Sequence, residues 1–249
     1  MASFQDHFSS IAAQYAACRP TYPAALFDYL AQLAEQKLLV WDCACGSGQA
    51  SVPLAERFSE VVATDASREQ IAAATAHPRV RYRIARAEES GLAPASVDLL
   101  TVAQALHWFD LPAFYAEARR VLKPGAPLAV WTYTLVAVDE LIDPPLLHFY
   151  RDVVGPYWPT ERRAVESGYR TLDFPFPELS PPRFELEQHW TLAHLMGYVR
   201  SWSATARYRA QRGIDPVLQL EGELGPLWGD PQRLRRVRWP LALRIGRRP

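Results

Sequence analysis

The chain has 249 residues, and its 27 basic and 27 acidic side chains cancel to a formal net charge of zero. Hydrophobic residues make up 49% of the chain and aromatic residues 12%, which is enough for a packed core and excludes a disordered chain. Zero net charge argues against bulk electrostatic binding to nucleic acid or to an anionic membrane. No apolar run approaches the length of a membrane-spanning helix, and residues 1–20 lack the features of a signal peptide. Three cysteines favour a reduced compartment. We therefore expect a soluble, cytoplasmic protein.

Two periodicities alternate along the first half of the chain. Apolar residues recur at helical spacing in some segments, whereas other segments are short continuous apolar runs that are typical of buried strands. The predicted helices are 23–35, 49–58, 68–76, 111–122, 191–203 and 215–228, and the predicted strands are 37–42, 60–65, 80–85, 96–103, 126–131, 183–190 and 237–245. Ser67 and Thr191 are the expected N-caps of two of these helices.

Five strands that alternate with helices before residue 132 predict right-handed crossovers and a sheet covered on both faces. The predicted fold class is α/β, a doubly wound, mostly parallel sheet of seven strands with a helical cap insertion after the fifth strand. Pro240 predicts an edge position or a bulge for the last strand. We expect a single domain over 1–249. Its segments are N-terminal lid helices (1–36), a cofactor-binding core (37–133), a cap (134–210), and a closing helix with an edge strand (211–249).

The first predicted strand ends in Asp42, and a turn of small residues follows it as far as Gly48. Glycines at alternate positions let a backbone approach a ligand, and the next helix offers free N–H groups there. Asp65 ends the second strand, where a carboxylate can accept both hydroxyls of a ribose. This arrangement indicates a cofactor that contains a nucleoside.

Two cofactor classes compete for such a turn. A dinucleotide site requires a third glycine, but Ser51 stands at that position. A carboxylate at Asp42 would repel a pyrophosphate, whereas it suits a ligand with an ammonium group and no phosphate. The charge pattern therefore favours S-adenosyl-L-methionine over a nicotinamide dinucleotide.

The turn from Asp42 to Gln49 resembles the glycine-rich first motif of class I S-adenosylmethionine-dependent methyltransferases, with Ala44 in place of the first glycine. We expect Ala44 to keep a negative φ. Four further elements match in order: Asp65, Ala87-Glu88, Gln104-Ala105-Leu106-His107-Trp108-Phe109 and Leu122-Lys123-Pro124-Gly125-Ala126. The run around His107, together with residues 15–23, most resembles the trans-aconitate methyltransferase-like group, which methylates small molecules.

The resemblance implies a cofactor-binding set that consists of Arg19, Asp42, Ala44, Gly46, Gly48, Asp65, Ala66, Ala87, Glu88 and Gln104. Several roles stay open. Asp42 either contacts the cofactor ammonium or only orders the glycine loop through backbone N–H groups. Glu88 recognises the adenine by its side chain or only by its backbone. Arg19 either pairs with the cofactor carboxylate or is a surface arginine. The product would be S-adenosyl-L-homocysteine.

His107 and Trp108 are the candidate catalytic residues, because they follow the fourth strand where the acceptor is expected. His107 either orients an acceptor oxygen, acts as a base, or only packs on Trp108, which itself either faces the sulfonium or belongs to the core. Tyr15, Tyr22 and Trp202 are candidate substrate contacts. No metal site is expected, since Cys43 and Cys45 lack partner ligands at zinc spacing.

The predicted function is transfer of a methyl group to a small molecule, with O-methylation of a small carboxylic acid favoured. Residues 1–160 hold 12 basic and 17 acidic side chains and the remainder 15 and 10, which favours an anionic substrate. Alternatives are a nicotinamide-dependent dehydrogenase, transfer to a nitrogen or carbon acceptor, or a non-catalytic cofactor-binding protein. We expect no nucleic-acid or membrane partner, and a monomer or homodimer.

Overall fold

The computed structural model describes residues 21–249. They form two compact units. The first, here called the sheet unit, comprises Tyr22–Thr134, Arg163–Glu185 and Pro240–Pro249. The second, called the helical unit, comprises Thr21, Leu135–Arg162 and Leu186–Trp239. No helix within residues 21–249 is long and apolar enough to cross a membrane.

The helices and strands follow the predicted order closely. The helices are α1 Ala24–Leu33, α2 Ser51–Ala55, α3 Arg68–Ala72, α4 Leu111–Val121, α5 Asp143–His148, α6 Arg162–Glu166, α7 Leu192–Arg200, α8 Ser203–Arg212 and α9 Val217–Trp228. The strands are β1 Leu39–Cys43, β2 Glu60–Asp65, β3 Val80–Ile84, β4 Leu99–Ala103, β5 Pro127–Tyr133, β6 Glu178–Leu179, β7 Phe184–Trp190 and β8 Arg235–Arg247. Both predicted N-caps are confirmed, since Ser67 Oγ accepts from Gln70 N and Thr191 Oγ1 accepts from His194 N.

The strand order is β3-β2-β1-β4-β5-β8-β6, and β7 pairs with β8. β1 to β5 are parallel, and β8 runs antiparallel to β5. From β1 the chain first adds strands on one side and then on the other, so the order reverses between β1 and β4. Ligands bind at the carboxyl ends of strands at such a switch point. The doubly wound, mostly parallel sheet is therefore confirmed.

Both faces of the sheet are buried. Successive β1 residues alternate between two core clusters, with Val40 in one and Trp41 in the other. Helices α1 and α2 supply the first cluster, and α4 and α6 supply the second. Because both faces are covered, β1 reads in the sequence as an apolar run with no alternation.

Two predictions about the strands are wrong. The described residues form eight strands instead of seven, because the two-residue strand β6 is too short to leave a periodic signal. β8 is not an edge strand, since it lies between β5 and β6. The residues of β8 that pair with β5 begin at Leu241, so Pro240 lies just outside this pairing. The N–H that proline lacks therefore removes no hydrogen bond between β5 and β8.

The chain divides differently from the predicted segments. The predicted cap over 134–210 is not one unit, because Arg163–Glu185 returns to the sheet unit. Val165, Tyr169 and Phe176 of this stretch belong to the same core cluster as the inner residues of β4 and β5. Helices do follow β5, as predicted, and the helical unit continues to Trp239.

Candidate active site

The backbone of the loop between β1 and α2 enters the left-handed region at every second residue from Ala44 to Gly48. Ala44, Gly46 and Gly48 all have positive φ, at 54°, 56° and 92°. The loop is closed by hydrogen bonds from Cys45 N to Thr64 O (3.0 Å) and from Gly48 N to Cys45 O (3.0 Å). The alternate small residues of the sequence motif are thus the ones that the left-handed backbone requires.

The prediction that Ala44 keeps a negative φ is wrong. Positive φ recurs at every second residue from position 44 to position 48, and the hydrogen bond from the neighbouring Cys45 N to Thr64 O holds this part of the loop against β2. An L-residue in this region carries a strain of about 1–2 kcal/mol. Strained backbone of this kind concentrates at ligand-binding sites.

Gly48 has a separate requirement. A Cβ at this position would collide with the hydroxyl of Tyr82, which donates to Thr75 O (2.8 Å). Tyr82 lies on β3, 34 residues further along the chain. Burial raises the pKa of its hydroxyl to about 12, so this hydroxyl stays protonated and can donate.

Asp65 connects the end of β2 to the glycine loop. Its Oδ2 accepts from Gly46 N (2.9 Å) and its Oδ1 accepts from Ser67 N (2.9 Å). An ionised carboxylate offers about four acceptor positions, so holding the loop is compatible with binding a ribose diol. Ala66, the other predicted contact at this strand end, is exposed.

Asp42 is fully buried, and its carboxylate accepts from two side-chain hydroxyls in place of the backbone N–H groups predicted to link it to the loop. Its carboxylate accepts from Ser51 Oγ (2.6 Å) and from Thr101 Oγ1 (2.8 Å), so it ties β1 to the start of α2 and to β4. Burial, the largest effect, raises its pKa from 3.8 to about 6, although the two hydroxyl bonds favour the charged form. Asp42 therefore fixes the frame of the loop through side chains.

The end of β3 carries Ala87 and Glu88. Ala87 is buried. Glu88 accepts from Asp110 N (3.2 Å) and pairs with Arg86 (3.2 Å), so its carboxylate is already engaged in the described structure.

Gln104, at the end of β4, combines two unusual features. Its φ is 59°, although it is not glycine, and its Oε1 accepts from Thr132 Oγ1 (2.8 Å). Its buried Nε2 has no hydrogen-bond partner within residues 21–249. A buried unpaired donor costs free energy, so it indicates a ligand that completes the bond. Because β4 pairs with β1, this amide belongs to the same strand-end edge as the glycine loop.

His107 and Trp108 lie in a 3-10 turn, Leu106–Trp108, just beyond Gln104. Their rings pack with centroids 4.7 Å apart, and His107 Nδ1 is 3.0 Å from the hydroxyl of Tyr169. Trp108 is 39% exposed and therefore is not a core residue.

Tyr169 is a residue that the sequence analysis missed. It is fully buried with a φ of 63°, and its carbonyl accepts from Arg244 Nη1 (2.7 Å). A bulky residue with positive φ is a rare outlier. No periodicity or motif in the sequence marks Tyr169, because its contact with His107 joins residues far apart in the chain. The sequence feature that could have drawn attention to this turn is the preceding Gly168. A Cβ at Gly168 would lie 2.7 Å from Ala242 Cβ.

The other predicted residues are distributed as follows. Tyr22 packs edge-to-face on Trp131 in the sheet unit (5.6 Å). Trp202 lies in the helical unit, where it is buried against Tyr150 and Trp158. Tyr15 and Arg19 lie outside the described residues. Burial raises the pKa of the Cys43 and Cys45 thiols, because it disfavours the thiolate. Within residues 21–249 there is no cluster of three or more potential metal ligands.

Comparison with known proteins identifies the family. Residues 41–130 match the family described as "Methyltransferase domain". A protein of Dictyostelium discoideum that carries a methyltransferase name without a stated substrate is 35% identical over 225 residues, which are 89% of this chain and 86% of that protein. A solved structure from Anaeromyxobacter dehalogenans, described as a candidate type II methyltransferase, has a TM-score of 0.88 at 49% identity, covering 92% of this chain and 97% of its own.

This chain is a class I S-adenosylmethionine-dependent methyltransferase. A protein of Mycobacterium tuberculosis named as an uncharacterized methyltransferase is 37% identical over 126 residues, about half of each chain (50% and 51%). Membership of this family excludes the nicotinamide-dependent dehydrogenase. The residues of this methyltransferase also fit its cofactor, because the glycine loop, the Asp65 carboxylate and the orphaned Gln104 amide share one edge of the sheet unit.

Replacing Ala44 by glycine in this methyltransferase should stabilise the fold. Glycine removes the strain of the left-handed conformation in the folded state. It also increases the conformational entropy of the unfolded chain, which lowers the free energy of unfolding by roughly 0.4–1 kcal/mol. We therefore expect a net rise of up to about 1 kcal/mol in the free energy of unfolding. Denaturant unfolding measures this gain. The control Ala66→Gly changes a residue without positive φ and should lower the free energy of unfolding. Equal losses of stability in the two variants would contradict the presence of backbone strain at Ala44.

Asp42 should make stability depend on pH. Its carboxyl titrates near pH 6 when folded and near 3.8 when unfolded, so the folded state binds the extra proton between these values. The free energy of unfolding of the wild type should fall relative to Asp42→Asn by about 2.4 kcal/mol as the pH rises from 4 to 7. Urea unfolding at several pH values tests this expectation. A difference that does not change with pH would be inconsistent with a buried, ionising Asp42.

Proposed function

We propose that this methyltransferase methylates an oxygen of a small carboxylic acid. The observation that carries the proposal is the chemistry of the segment after β4. It offers at Gln104 an amide donor that has no partner among residues 21–249, and it holds no acidic residue before Asp110. Asp110 itself caps α4 by accepting from Ala113 N (3.3 Å). A site that offers hydrogen-bond donors and no acidic side chain suits an anionic methyl acceptor better than it suits an acceptor with an ammonium group.

The chemistry of the reaction makes this acceptor consistent with the residues present. When bound, S-adenosylmethionine supplies a methyl group that is already activated by the sulfonium. A carboxylate is a nucleophile without deprotonation, so the protein has to align it and exclude water. No strong base is then required of His107. Its bond to Tyr169 fixes the ring orientation, which lets the ring position an acceptor oxygen.

The cofactor-binding roles follow from the geometry of the strand ends. We propose that Asp65 accepts the ribose hydroxyls, that the backbone of Gly46 and Gly48 lines the amino-acid end, and that Ala66 and the 87–88 backbone flank the adenine. Gln104 Nε2 would donate to the bound cofactor or acceptor. The trans-aconitate methyltransferase-like subgroup, the contacts of Arg19, Tyr15, Tyr22 and Trp202, a cytoplasmic location and a monomeric or dimeric state stay predictions.

The acceptor class is tested with radiolabelled S-adenosylmethionine and a panel of small acids, amines and activated carbon compounds. We expect label in the acids, released by mild alkali as methanol, because an ester forms. Label only in an amine or carbon compound would overturn the carboxylate acceptor. Binding of S-adenosylhomocysteine without transfer to any compound would favour the non-catalytic alternative.

Gln104 is tested by Gln104→Glu, which keeps the shape of the side chain and removes the donor. We expect S-adenosylhomocysteine binding or methyl transfer to fall by roughly tenfold or more, because a buried donor is replaced by an acceptor. Calorimetry and single-turnover transfer measure the two steps. Gln232→Glu, at an exposed position, makes the same charge change and should leave both steps unchanged. Equal behaviour of the two variants would remove Gln104 from the site.

A further inference from the structure

The imidazole of His107 is bonded to a buried tyrosine of the same sheet unit. Its Nδ1 lies 3.0 Å from the hydroxyl oxygen of Tyr169, and the two rings are 5.8 Å apart with an interplanar angle of 35°. Trp108 packs on the same imidazole at 4.7 Å between ring centroids. Tyr169 is fully buried, whereas His107 is only partly buried. One edge of the imidazole is therefore fixed to the core while the ring keeps some exposed surface.

Tyr169 is itself held in a fixed position. Its amide donates to Ala164 O (2.8 Å), and its carbonyl accepts from Arg244 Nη1 (2.7 Å). Arg244 forms a bidentate pair with Glu178, in which Nη2 donates to Oε1 (2.6 Å) and Nε donates to Oε2 (3.1 Å). The hydroxyl that meets His107 is thus placed by contacts with α6, β8 and β6, so no ligand is needed to order it.

The hydrogen bond between Tyr169 and His107 has a favoured direction. A phenol is a stronger acid than the N–H of a neutral imidazole, and an imidazole nitrogen is a stronger base than a phenol oxygen. The favoured arrangement is therefore O–H···N, in which the hydroxyl of Tyr169 donates to Nδ1 of His107. Because a neutral imidazole carries one hydrogen, the hydrogen of His107 is then on Nε2.

This tautomer is the opposite of the one that a histidine base requires. A histidine base presents an unprotonated nitrogen to its substrate, and a carboxylate or carbonyl oxygen fixes that form by accepting from the other nitrogen. At His107 the group beside Nδ1 is a hydroxyl, which can donate. The chain between β4 and Asp110 supplies no acidic side chain that could replace it. The bond to Tyr169 thus favours a hydrogen-bond donor at Nε2 over a base.

We infer that Tyr169 is a positioning residue of the methyl-transfer site, which holds the neutral His107 as an Nε2–H donor to an oxygen of the methyl acceptor. The Nε2–H bond of an imidazole points away from the partner of Nδ1, so this donor is directed away from Tyr169. Donation orients the acceptor oxygen without taking a proton from it, which is sufficient for a carboxylate. The inference rests on the proposed function only in naming the acceptor oxygen as that of a carboxylate.

The tautomer is tested by nitrogen NMR on the protein with isotopically labelled histidine, at a pH where the ring of His107 is neutral. The signals of His107 are identified by their absence from His107→Gln. We expect the hydrogen on Nε2 in the wild type, and a change in both nitrogen shifts in Tyr169→Phe. A hydrogen on Nδ1 in the wild type, or unchanged shifts in Tyr169→Phe, would overturn the inference.

Tyr115→Phe is the matched control. Tyr115 belongs to the same core cluster as Tyr169, and its hydroxyl donates to Asp173 O (2.6 Å), so this variant also removes one phenol hydrogen bond. It should leave the nitrogen shifts of His107 as they are in the wild type. Thermal melting checks that each variant is folded. Equal changes of the His107 shifts in the two variants would reduce Tyr169 to a structural role and overturn the inference.

Methyl transfer tests the use of the donor. Transfer from radiolabelled S-adenosylmethionine to succinate, glutarate and benzoate should show a kcat/KM that is roughly tenfold lower in Tyr169→Phe than in Tyr115→Phe, since one directing hydrogen bond is lost. The affinity for S-adenosylhomocysteine should be equal in these two variants. His107→Gln should retain more activity than His107→Asn, because the longer amide can place an N–H where Nε2 stands. An Asn variant as active as the Gln variant would contradict donation from Nε2.

The outcomes separate this inference from the proposed function. A hydrogen on Nε2 that depends on Tyr169, with methyl transfer only to an amine or carbon compound, would keep the positioning of His107 and overturn the acceptor class. Transfer to acids with the same kcat/KM in Tyr169→Phe and Tyr115→Phe would keep the acceptor class and overturn the positioning role.

Discussion

Two carboxylates hold the glycine loop, and the geometry of the sheet unit's site depends on them. Asp42 reaches the hydroxyls of Ser51 and Thr101, so one buried side chain joins β1, β4 and the start of α2. Asp65 reaches the amides of Gly46 and Ser67, which join the loop to β2 and α3. The loop can keep its residues with positive φ because its frame is fixed from both sides. Burial disfavours the charge on Asp42, and the two hydroxyl bonds offset part of that cost.

Among the described residues, four non-glycine residues have positive φ, and all but Ala95 lie where the chemistry is expected. Ala44 and Gln104 adopt positive φ at the ends of two paired strands, and Tyr169 does so beside His107. Hydrogen bonds hold each of these residues in place. The bonds that close the loop hold Ala44. Thr132 and the carbonyl of Trp131 hold Gln104, and Arg244 holds Tyr169. Strained residues of this kind persist where the surrounding structure holds them, and they cluster at sites whose function requires a fixed geometry.

The charged groups of the two units are used differently. In the sheet unit, acids organise the backbone, while the segment after β4 presents donors and aromatic rings. In the helical unit, Arg200, Arg235 and Arg236 pair with acids, and the guanidinium of Arg162 lies over the rings of Trp158 and Tyr150. The segment after β4 therefore suits the proposed anionic acceptor, since it offers donors and no acidic side chain before Asp110.

The sequence by itself determined the parallel core, its order of helices and strands, two helix caps, the glycine loop and the position of Asp65. These features depend on neighbours along the chain, where periodicity and spacing record them. Tertiary structure alone decided the left-handed Ala44, the bonding of Asp42 to Thr101, the orphaned amide of Gln104 and the contact of Tyr169 with His107. It also placed β8 inside the sheet. Each of these depends on residues distant in sequence, because packing sets their backbone angles and partners, and no local pattern encodes that packing.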